Sequence, residues 1–274
     1  MQMRTSGAIE SHNKHNLSVW QVIDHIIRIS DIVMEVLDAR FIKETRNMEL
    51  EAKIKEQGKG ILYIINKIDL LDKEQLRALK EKVELENIKP SVLVSCTSHK
   101  GRHNLKERIK IEVKRRKIKF PKSHVGIIGY PNTGKSTLIN LITGRHAVRT
   151  SPRAGLTQGM HKIRINSNIL LLDTPGVIPN REDAKSNALA QKKHTKMGVA
   201  TYDRIKDPIF AVVSVMKENP GKVEKLYGIE ANGDVELLLE TLGKQRNMVK
   251  RGNKTDLDRA ARVVLKDWQE GKIK

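Results

Sequence analysis

The chain has 274 residues, enough for one large domain or two and for a substantial buried core. Cys96 is the only cysteine, so no disulfide and no cysteine metal cluster can form within one chain. No apolar run is long enough to cross a bilayer, and the N-terminus lacks a basic segment followed by an apolar one. We therefore expect a cytoplasmic protein with no membrane partner.

The formal net charge is +20, and the positive excess is clustered along the chain. The range 99–122 carries 11 basic and 2 acidic side chains, whereas 1–98 balances at 15 and 15. Such clustering favours an anionic partner, most simply nucleic acid. Aromatic residues make up only 3%, which argues against base stacking as the main RNA contact. A basic face that is merely solvated is the alternative.

Helical and strand patterns alternate through the first two thirds of the chain. Amphipathic spacing predicts a helix capped by Ser18, and further helices over 44–57, over 73–86 and around Leu105, Ile109 and Val113. Apolar runs predict strands over 31–37, 60–65, 92–94, 124–128, 162–165 and 169–172. The predicted helix around Leu105 and Val113 also carries a basic stripe, which consists of Arg102, Lys106, Lys110 and Lys114.

Only helical patterns follow residue 182. Asp234 is placed to cap a helix over 235–242, which Gly243 ends. Thr255 and Asp258 resemble a capping box at the start of the last helix. The change from alternating elements to helices alone predicts a second, all-helical domain.

Residues 129–136 read Gly-Tyr-Pro-Asn-Thr-Gly-Lys-Ser, which fits the phosphate-loop pattern. They follow an apolar strand and open a helix, which is the context that this motif needs. Lys135 would reach the outer phosphates, and the Ser136 hydroxyl would bind magnesium. We expect the nucleotide phosphates to be bound by Gly129, Asn132, Thr133, Gly134, Lys135, Ser136 and Thr137.

The segment Asn66-Lys67-Ile68-Asp69 indicates which base is bound. The Asp69 carboxylate can accept two hydrogen bonds from the N1–H and 2-amino edge of guanine, which adenine cannot offer. Asn66 can tie the base-binding segment to the phosphate loop, while the stem of Lys67 lies over the ring. Ser95-Cys96-Thr97 ends the next strand, where a backbone N–H could meet the guanine 6-oxygen. We expect Cys96 to be a loop residue, because no base that could activate a nucleophile is evident.

Asp173-Thr174-Pro175-Gly176 follows another apolar strand. Asp173 would act on magnesium through water, and the Gly176 N–H would contact the terminal phosphate. Thr157 lies in the polar connector before this strand, where a threonine could also bind the magnesium. Regulatory GTPases place a water-orienting Gln after this Gly, but the chain has Val177. We expect Lys135, Gly176 and Thr157 to support a hydrolysis that is slow without outside help.

The order of these segments is unusual. In a standard GTPase the phosphate loop comes first and the base-reading segments come last, whereas here 66–69 and 95–97 precede 129–136. A parallel sheet tolerates such a rearrangement when the original termini lie close and are joined. We expect a circularly permuted α/β GTPase domain over 1–182 with a mostly parallel, doubly wound sheet, followed by a small helical domain over 183–274.

These motifs resemble the circularly permuted GTPases of the YlqF/YawG type, which assist assembly of the large ribosomal subunit. The likeness also includes Asp38-Ala39-Arg40, Thr45-Arg46-Asn47 and a tail pattern that runs from Gly252 to Ile273. It implies that Asn132 helps to hold a potassium ion and that the tail contacts ribosomal RNA. Two departures stand out: Phe41 is followed by Ile42 where the family has Pro, and no Pro-Gly-His-Met stretch precedes the first strand.

The sequence therefore predicts a monomeric, magnesium-dependent GTPase that binds GTP and GDP and acts on the large ribosomal subunit or its precursor. Two alternatives stay open. One is an RNA-binding module gated by nucleotide with negligible turnover, and the other is a GTPase that acts on a different RNA, such as tRNA. A catalytic role cannot be carried over to His12 or His15, for which surface positions are the simpler interpretation.

Overall fold

The computed structural model describes residues 19–116, 122–144, 161–173, 202, 205, 207–250 and 252–273. Its centre is a six-stranded sheet with the strand order β3-β2-β1-β4-β6-β5. All neighbouring strands are parallel except β5, which runs antiparallel to β6. The strands are β1 (Ile32–Asp38), β2 (Gly60–Asn66), β3 (Ser91–Leu93), β4 (Ser123–Gly129), β5 (His161–Arg164) and β6 (Ile169–Asp173).

Helices connect the parallel strands, and among the described residues a group of four helices follows the sheet. A single 3₁₀ turn, Ile68–Leu70, follows β2. The helices are α1 (Val19–Ile29), α2 (Ile42–Thr45), α3 (Met48–Glu56), α4 (Lys73–Leu85), α5 (Arg102–Arg115), α6 (Lys135–Thr143), α7 (Pro208–Glu218), α8 (Lys222–Tyr227), α9 (Val235–Gln245) and α10 (Leu257–Gln269).

Both faces of the sheet are covered, which explains why β1 reads as a continuous apolar run. Ile32, Met34 and Val36 belong to one apolar cluster together with residues of α5 and α6. Val33 packs on the other face with residues of α1 and α3, and Leu37 packs there with residues of α4. Alternate side chains of one strand therefore enter opposite layers, as in a doubly wound parallel sheet.

The single helix predicted over 44–57 is wrong, because α2 and α3 are separate helices. Arg46 is extended between them, and the Asn47 side chain caps α3 by accepting a hydrogen bond from the Leu50 N–H. The Asn47 N–H donates to the buried carboxylate of Glu35 on β1, at 2.7 Å. A tertiary partner outside the segment therefore stabilises the break.

Helices α7 to α10 share one apolar core, and we call them the tail helices. The Asp234 cap is confirmed, since its carboxylate accepts from two backbone N–H groups of α9. The predicted end at Gly243 is wrong, because α9 continues to Gln245. The Thr255 side chain lies where a Cβ at position 243 would project, so the glycine permits this close packing. The capping box of Thr255 and Asp258 is also wrong, because Asp256 caps α10.

The tail core extends onto the carboxyl edge of the sheet. Phe41, which follows β1, and Tyr130, which follows β4, are both buried in the same cluster as the tail helices. Tail helices and sheet edge are thus continuous in packing at this point. The expected domain boundary at residue 182 lies outside the described residues. No helix in the described part of the chain is both long and apolar enough to span a membrane.

Candidate nucleotide-binding site

Four of the segments singled out from the sequence meet at one edge of the sheet. Strands β2, β3, β4 and β6 run parallel, so their carboxyl ends lie on the same side. The segments 66–69, 95–97, 129–136 and Asp173 follow or end these strands in that order. This edge is where open α/β sheets bind their ligands.

The glycines of the phosphate loop occupy positions that admit no other residue easily. Gly129 has φ +152°, and a Cβ there would lie 2.7 Å from the carbonyl oxygen of Val36 on β1. Gly134 has φ +97°, and a Cβ there would collide with the side-chain amide of Asn66. Asn132 also takes a left-handed conformation, at φ +61°. The loop therefore curls back on itself before α6 begins, as a phosphate cradle requires.

Lys135 is folded into this loop. Its side chain is buried, and Nζ donates to the carbonyl oxygens of Gly129 and Tyr130, each at 2.9 Å. Burial lowers the pKa of Lys135 to about 8, although the negative charge of Asp173 opposes that shift. The ammonium thus lies inside the cradle and is held there by neutral carbonyl groups.

The expected magnesium ligands have suitable chemistry. Ser136 lies in the first turn of α6 and is half-buried, while the carboxylate of Asp173 is buried at the end of β6. Hydroxyl and carboxylate oxygens are the donors that magnesium prefers, with phosphates and water completing its shell. The described residues hold no group of three or more His, Cys, Asp or Glu side chains that could bind a metal without such help. Thr157 and Gly176 lie outside them.

Asn66 joins the base-reading segments to the phosphate loop. Its side chain is buried, and Nδ2 donates to the carbonyl oxygen of Thr133 at 2.9 Å. Its Oδ1 accepts from the backbone N–H of Cys96 at 3.3 Å. One amide therefore sets the relative positions of three loops that are far apart in the sequence.

Lys67 has a left-handed backbone, with φ +67°, and its ammonium lies 2.8 Å from Oδ2 of Asp38. Arg40 donates to both oxygens of the same carboxylate, at 3.0 and 2.8 Å. Burial alone would raise the pKa of Asp38, but the charges and hydrogen bonds of Lys67 and Arg40 outweigh it and hold that pKa well below its ordinary value. The carboxylate is therefore ionised, and it fixes the end of the Lys67 side chain.

Asp69 lies in the 3₁₀ turn that follows β2. Its Oδ1 atom is buried, and within the part of the chain that the structure describes it has no hydrogen-bond partner. A buried carboxylate oxygen in this state is costly unless a ligand donates to it. Guanine offers two such donors from one edge, so the geometry fits the role expected for Asp69.

The segment Ser95-Cys96-Thr97 forms a tight turn after β3. Ser95 is buried, and its hydroxyl oxygen accepts from the Ser98 N–H, whereas Thr97 is exposed. Burial and the nearby charge of Asp69 raise the pKa of the Cys96 thiol to about 12. The thiol therefore stays protonated, in agreement with its expected role as a loop residue.

Sequence reasoning assigned no role in the site to Asp38 or Tyr130. Asp38 ends β1, which lies between β2 and β4 in the sheet, so its side chain reaches the base-reading side. Tyr130 is the second residue of the phosphate loop, yet it is buried in the tail core. The sequence feature that could have indicated Asp38 is an acidic residue at the end of a buried strand. For Tyr130 it is an aromatic residue within an otherwise polar loop.

The fold and its edge define a class of protein. A phosphate loop follows a central parallel strand, and the Asn-Lys-x-Asp segment that packs against it comes earlier in the chain. That combination is a circularly permuted phosphate-loop domain of the guanine-nucleotide type.

Comparison with known proteins agrees with this class. Residues 124–241 match the family described as 50S ribosome-binding GTPase. An uncharacterized GTP-binding protein of Methanocaldococcus jannaschii is 35% identical over 259 residues, which are 93% of this chain and 66% of that protein. Guanine nucleotide-binding protein-like NSN1 of Arabidopsis thaliana is 30% identical over 275 residues, or 90% of this chain and 46% of that protein.

The fold is also that of a solved structure, GNP-bound YlqF from T. maritima. The two superimpose with a TM-score of 0.62 and 23% identity, over 91% of this chain and 92% of that one. The chain belongs to the circularly permuted GTPases of the YlqF/YawG type. It spans 66% and 46% of the lengths of the two curated relatives named above.

Proposed function

We propose that this protein binds GTP at the carboxyl edge of its sheet and hydrolyses it to GDP and phosphate. The observation that carries the proposal is the buried amide of Asn66, which joins a phosphate loop to an Asn-Lys-x-Asp segment. The buried oxygen of Asp69 supports guanine as the base. The family supports the same ligand, since its relatives carry guanine-nucleotide names.

In the proposed reaction water attacks the terminal phosphorus of GTP. The bond to the bridging oxygen breaks, and its electron pair leaves with GDP. Lys135 would exchange its two carbonyl partners for phosphate oxygens and neutralise their charge. Magnesium, held by Ser136 and through water by Asp173, would add further positive charge.

Three further roles complete the proposed site. Thr157 would contribute a second magnesium ligand, and the Gly176 N–H would contact the terminal phosphate. Asn132 would help to hold potassium, which supplies positive charge beside the phosphates. Because Val177 cannot orient water by a hydrogen bond, we expect slow turnover that potassium and ribosomal subunits stimulate.

We further propose that the partner is the large ribosomal subunit or its precursor, bound through ribosomal RNA in the cytoplasm by a monomer. The family description supports a ribosomal partner, and the clustered net charge of +20 supports RNA. We assign RNA binding to the helical region 183–274 and to the basic stripe of α5. Binding through phosphate groups would weaken steeply as salt rises.

Val177 favours a second candidate, in which GTP gates RNA binding without meaningful turnover. Turnover measured in potassium and in sodium, with and without large subunits, separates the two candidates. Stimulation by potassium or subunits supports the GTPase, and no stimulation under any condition supports the gated module. Co-sedimentation with large subunits at low and high salt, with tRNA as competitor, tests the choice of RNA.

The binding step is tested by titrating the purified protein with a fluorescent GTP analogue in the presence of magnesium. Asp69→Asn should lose affinity for GTP by about 100-fold and gain affinity for xanthosine triphosphate, whose 2-oxygen can accept from the new amide. Asp258→Asn, at an exposed position on α10, is the matched control and should bind as the wild type does. Unchanged GTP affinity in Asp69→Asn would refute the assignment of the base.

A further inference from the structure

Asp38 lies outside every nucleotide-binding segment, yet it holds the lysine of one of them. Its side chain is only 4% exposed, and it makes ion pairs with Lys67 and with Arg40. The Arg40 pair is bidentate and uses both carboxylate oxygens. A planar guanidinium in this arrangement leaves the carboxylate one preferred orientation. The position of the Lys67 ammonium therefore depends on how Arg40 is held.

Arg40 is held by the tail helices. Its guanidinium carbon lies 5.0 Å from the ring centre of Phe41 and 5.7 Å from that of Trp268 on α10. The two rings contact each other edge to face, with centres 6.2 Å apart. Cation–π contacts of this kind are strongest when the cation is desolvated, and the Arg40 side chain is 12% exposed. One arginine thus binds the Lys67 partner on one side and the tail on the other.

A second contact joins the tail to the same base-reading segment. Gly271, just after α10, takes a left-handed backbone with φ +73°, and the Leu70 side chain occupies the space beside it. A Cβ at this position would collide with that side chain. Lys272 then fixes the segment by pairing with Asp267 of α10 at 2.8 Å. Leu70 is the residue that follows Asp69, so the tail contacts this end of the Asn-Lys-x-Asp turn directly and reaches Lys67 only through Arg40 and Asp38.

We propose that Asp38 and Arg40 are positioning residues that couple the reading of guanine to the docking of the tail helices. With the tail in place, Trp268 holds Arg40, Arg40 orients Asp38, and Asp38 holds the Lys67 stem across the base. When a partner pulls the tail from the edge, Lys67 loses that anchor and guanine nucleotide dissociates faster. Because linkage is reciprocal, bound nucleotide also favours the docked tail.

This inference rests on the proposed binding of GTP. It also explains two side chains of the Asp38-Ala39-Arg40 segment. Asp38 pairs with Lys67 of the base-reading segment, and the planar guanidinium of Arg40 packs against Trp268 of the tail. A lysine in place of Arg40 would keep the positive charge, but it could neither bind the Asp38 carboxylate through two N–H groups in a bidentate geometry nor stack a planar group on the Trp268 ring.

A double-mutant cycle in GTP affinity tests the coupling. Arg40→Lys should weaken binding of the fluorescent GTP analogue on the order of tenfold. In a Lys67→Met background the same change should alter affinity less than about twofold, because the side chain through which Arg40 acts is gone. A merely structural loss would weaken binding equally in both backgrounds.

Gly271→Ala tests the coupling independently, by disturbing the contact between the tail and Leu70. Circular dichroism verifies that each variant is folded. Gly271→Ala should weaken GTP binding in the wild type and weaken it less beside Lys67→Met, where only the contact through Leu70 to Asp69 is still lost. Arg246→Lys is the matched control, since Arg246 lies 5.4 Å from the ring centre of Tyr227 within the tail, and it should bind GTP normally.

The outcomes distinguish failure of the proposed GTP binding from failure of the proposed coupling. A wild-type protein that does not bind GTP removes the proposed function itself. A wild type that binds, with Arg40→Lys and Gly271→Ala either unchanged or equally weakened in both backgrounds, overturns the coupling alone.

Discussion

The two lysines of the site lie at its opposite ends and are held in different ways. Lys135, at the phosphate end, is buried against two backbone carbonyl oxygens. Lys67, at the base end, is paired with the ionised carboxylate of Asp38, which Arg40 also grips. Lys67 therefore pairs with an anion, whereas Lys135 donates to two neutral carbonyl oxygens.

The difference shows what each lysine is prepared to do. Carbonyl groups compensate a buried ammonium only partly, so Lys135 remains in an unfavourable state that phosphate oxygens would relieve. Lys67 has little to gain from a further anion, and its fixed side chain is suited to lie against a flat, neutral base. The first lysine is expected to supply binding energy, and the second to supply position.

The largest effect should follow from Lys135→Met, which keeps an aliphatic stem but removes the charge. GTP affinity should fall on the order of 1,000-fold, because a buried charge-assisted contact to the phosphates is lost. Titration with the fluorescent analogue measures the change. Lys73→Met, at an exposed position on α4, is the control for the loss of one positive charge. A loss as small as that of Lys67→Met would contradict the comparison.

The pH dependence of stability should sharpen the same contrast. In the nucleotide-free protein the pKa of Lys135 is lowered from 10.5 to about 8. Between these values the unfolded chain binds more protons than the folded one, so the contribution of Lys135 to stability rises with pH. At pH 7.5 the buried charge should cost about 3 kcal/mol, and this cost should fade as pH approaches 10.5.

Urea unfolding of wild type and Lys135→Met at pH 7.5 and pH 10 checks this prediction. The difference between their free energies of unfolding should shift in favour of the wild type as pH rises. A difference that is constant with pH would show that the Lys135 ammonium is already compensated in the folded protein.

Features that depend on local sequence were predictable in this chain. The buried strands and the strand-loop-helix context of Gly129–Ser136 follow from short apolar runs and fixed letters, and the structure places them within one or two residues. The convergence of the loops after β2, β3, β4 and β6 was also predictable from the sequence, because the carboxyl ends of parallel strands lie at one edge of the sheet. Motif order then implied the permuted topology.

Features that depend on distant partners were not predictable. The break at Asn47 depends on the carboxyl group of Glu35, and the glycine inside α9 at position 243 is explained by the methyl group of Thr255 that packs against it. The pair of Lys67 and Asp38 joins the ends of two neighbouring strands, and no local pattern indicates it. Propensity describes a segment alone, whereas these contacts are made only when the sheet and the tail are assembled.

Asn66→Ala should have a smaller effect than Lys135→Met, because it removes the amide that joins the phosphate loop to the base-reading loops and leaves the Lys135 charge in place. The change leaves the Thr133 carbonyl and the Cys96 N–H without their side-chain partner, which should destabilise the fold by about 2 kcal/mol. GTP affinity should fall by roughly 30-fold, since the base-reading and phosphate loops are no longer fixed relative to each other. Asn104→Ala, on the exposed face of α5, should change neither quantity. Normal GTP binding in Asn66→Ala would mean that the two loops hold their positions independently.

The smallest effect is expected for Lys67→Met, which removes the ammonium and retains most of the stem. Asp38 keeps its bidentate pair with Arg40, so no buried carboxylate is left without a cation. GTP affinity should therefore fall only about tenfold, against the 1,000-fold loss expected for Lys135→Met. Equilibrium titration of both variants under one set of salt conditions makes the comparison direct. Equal losses would show that Lys67 supplies charge to the nucleotide, and the contrast between a binding lysine and a positioning lysine would then be wrong.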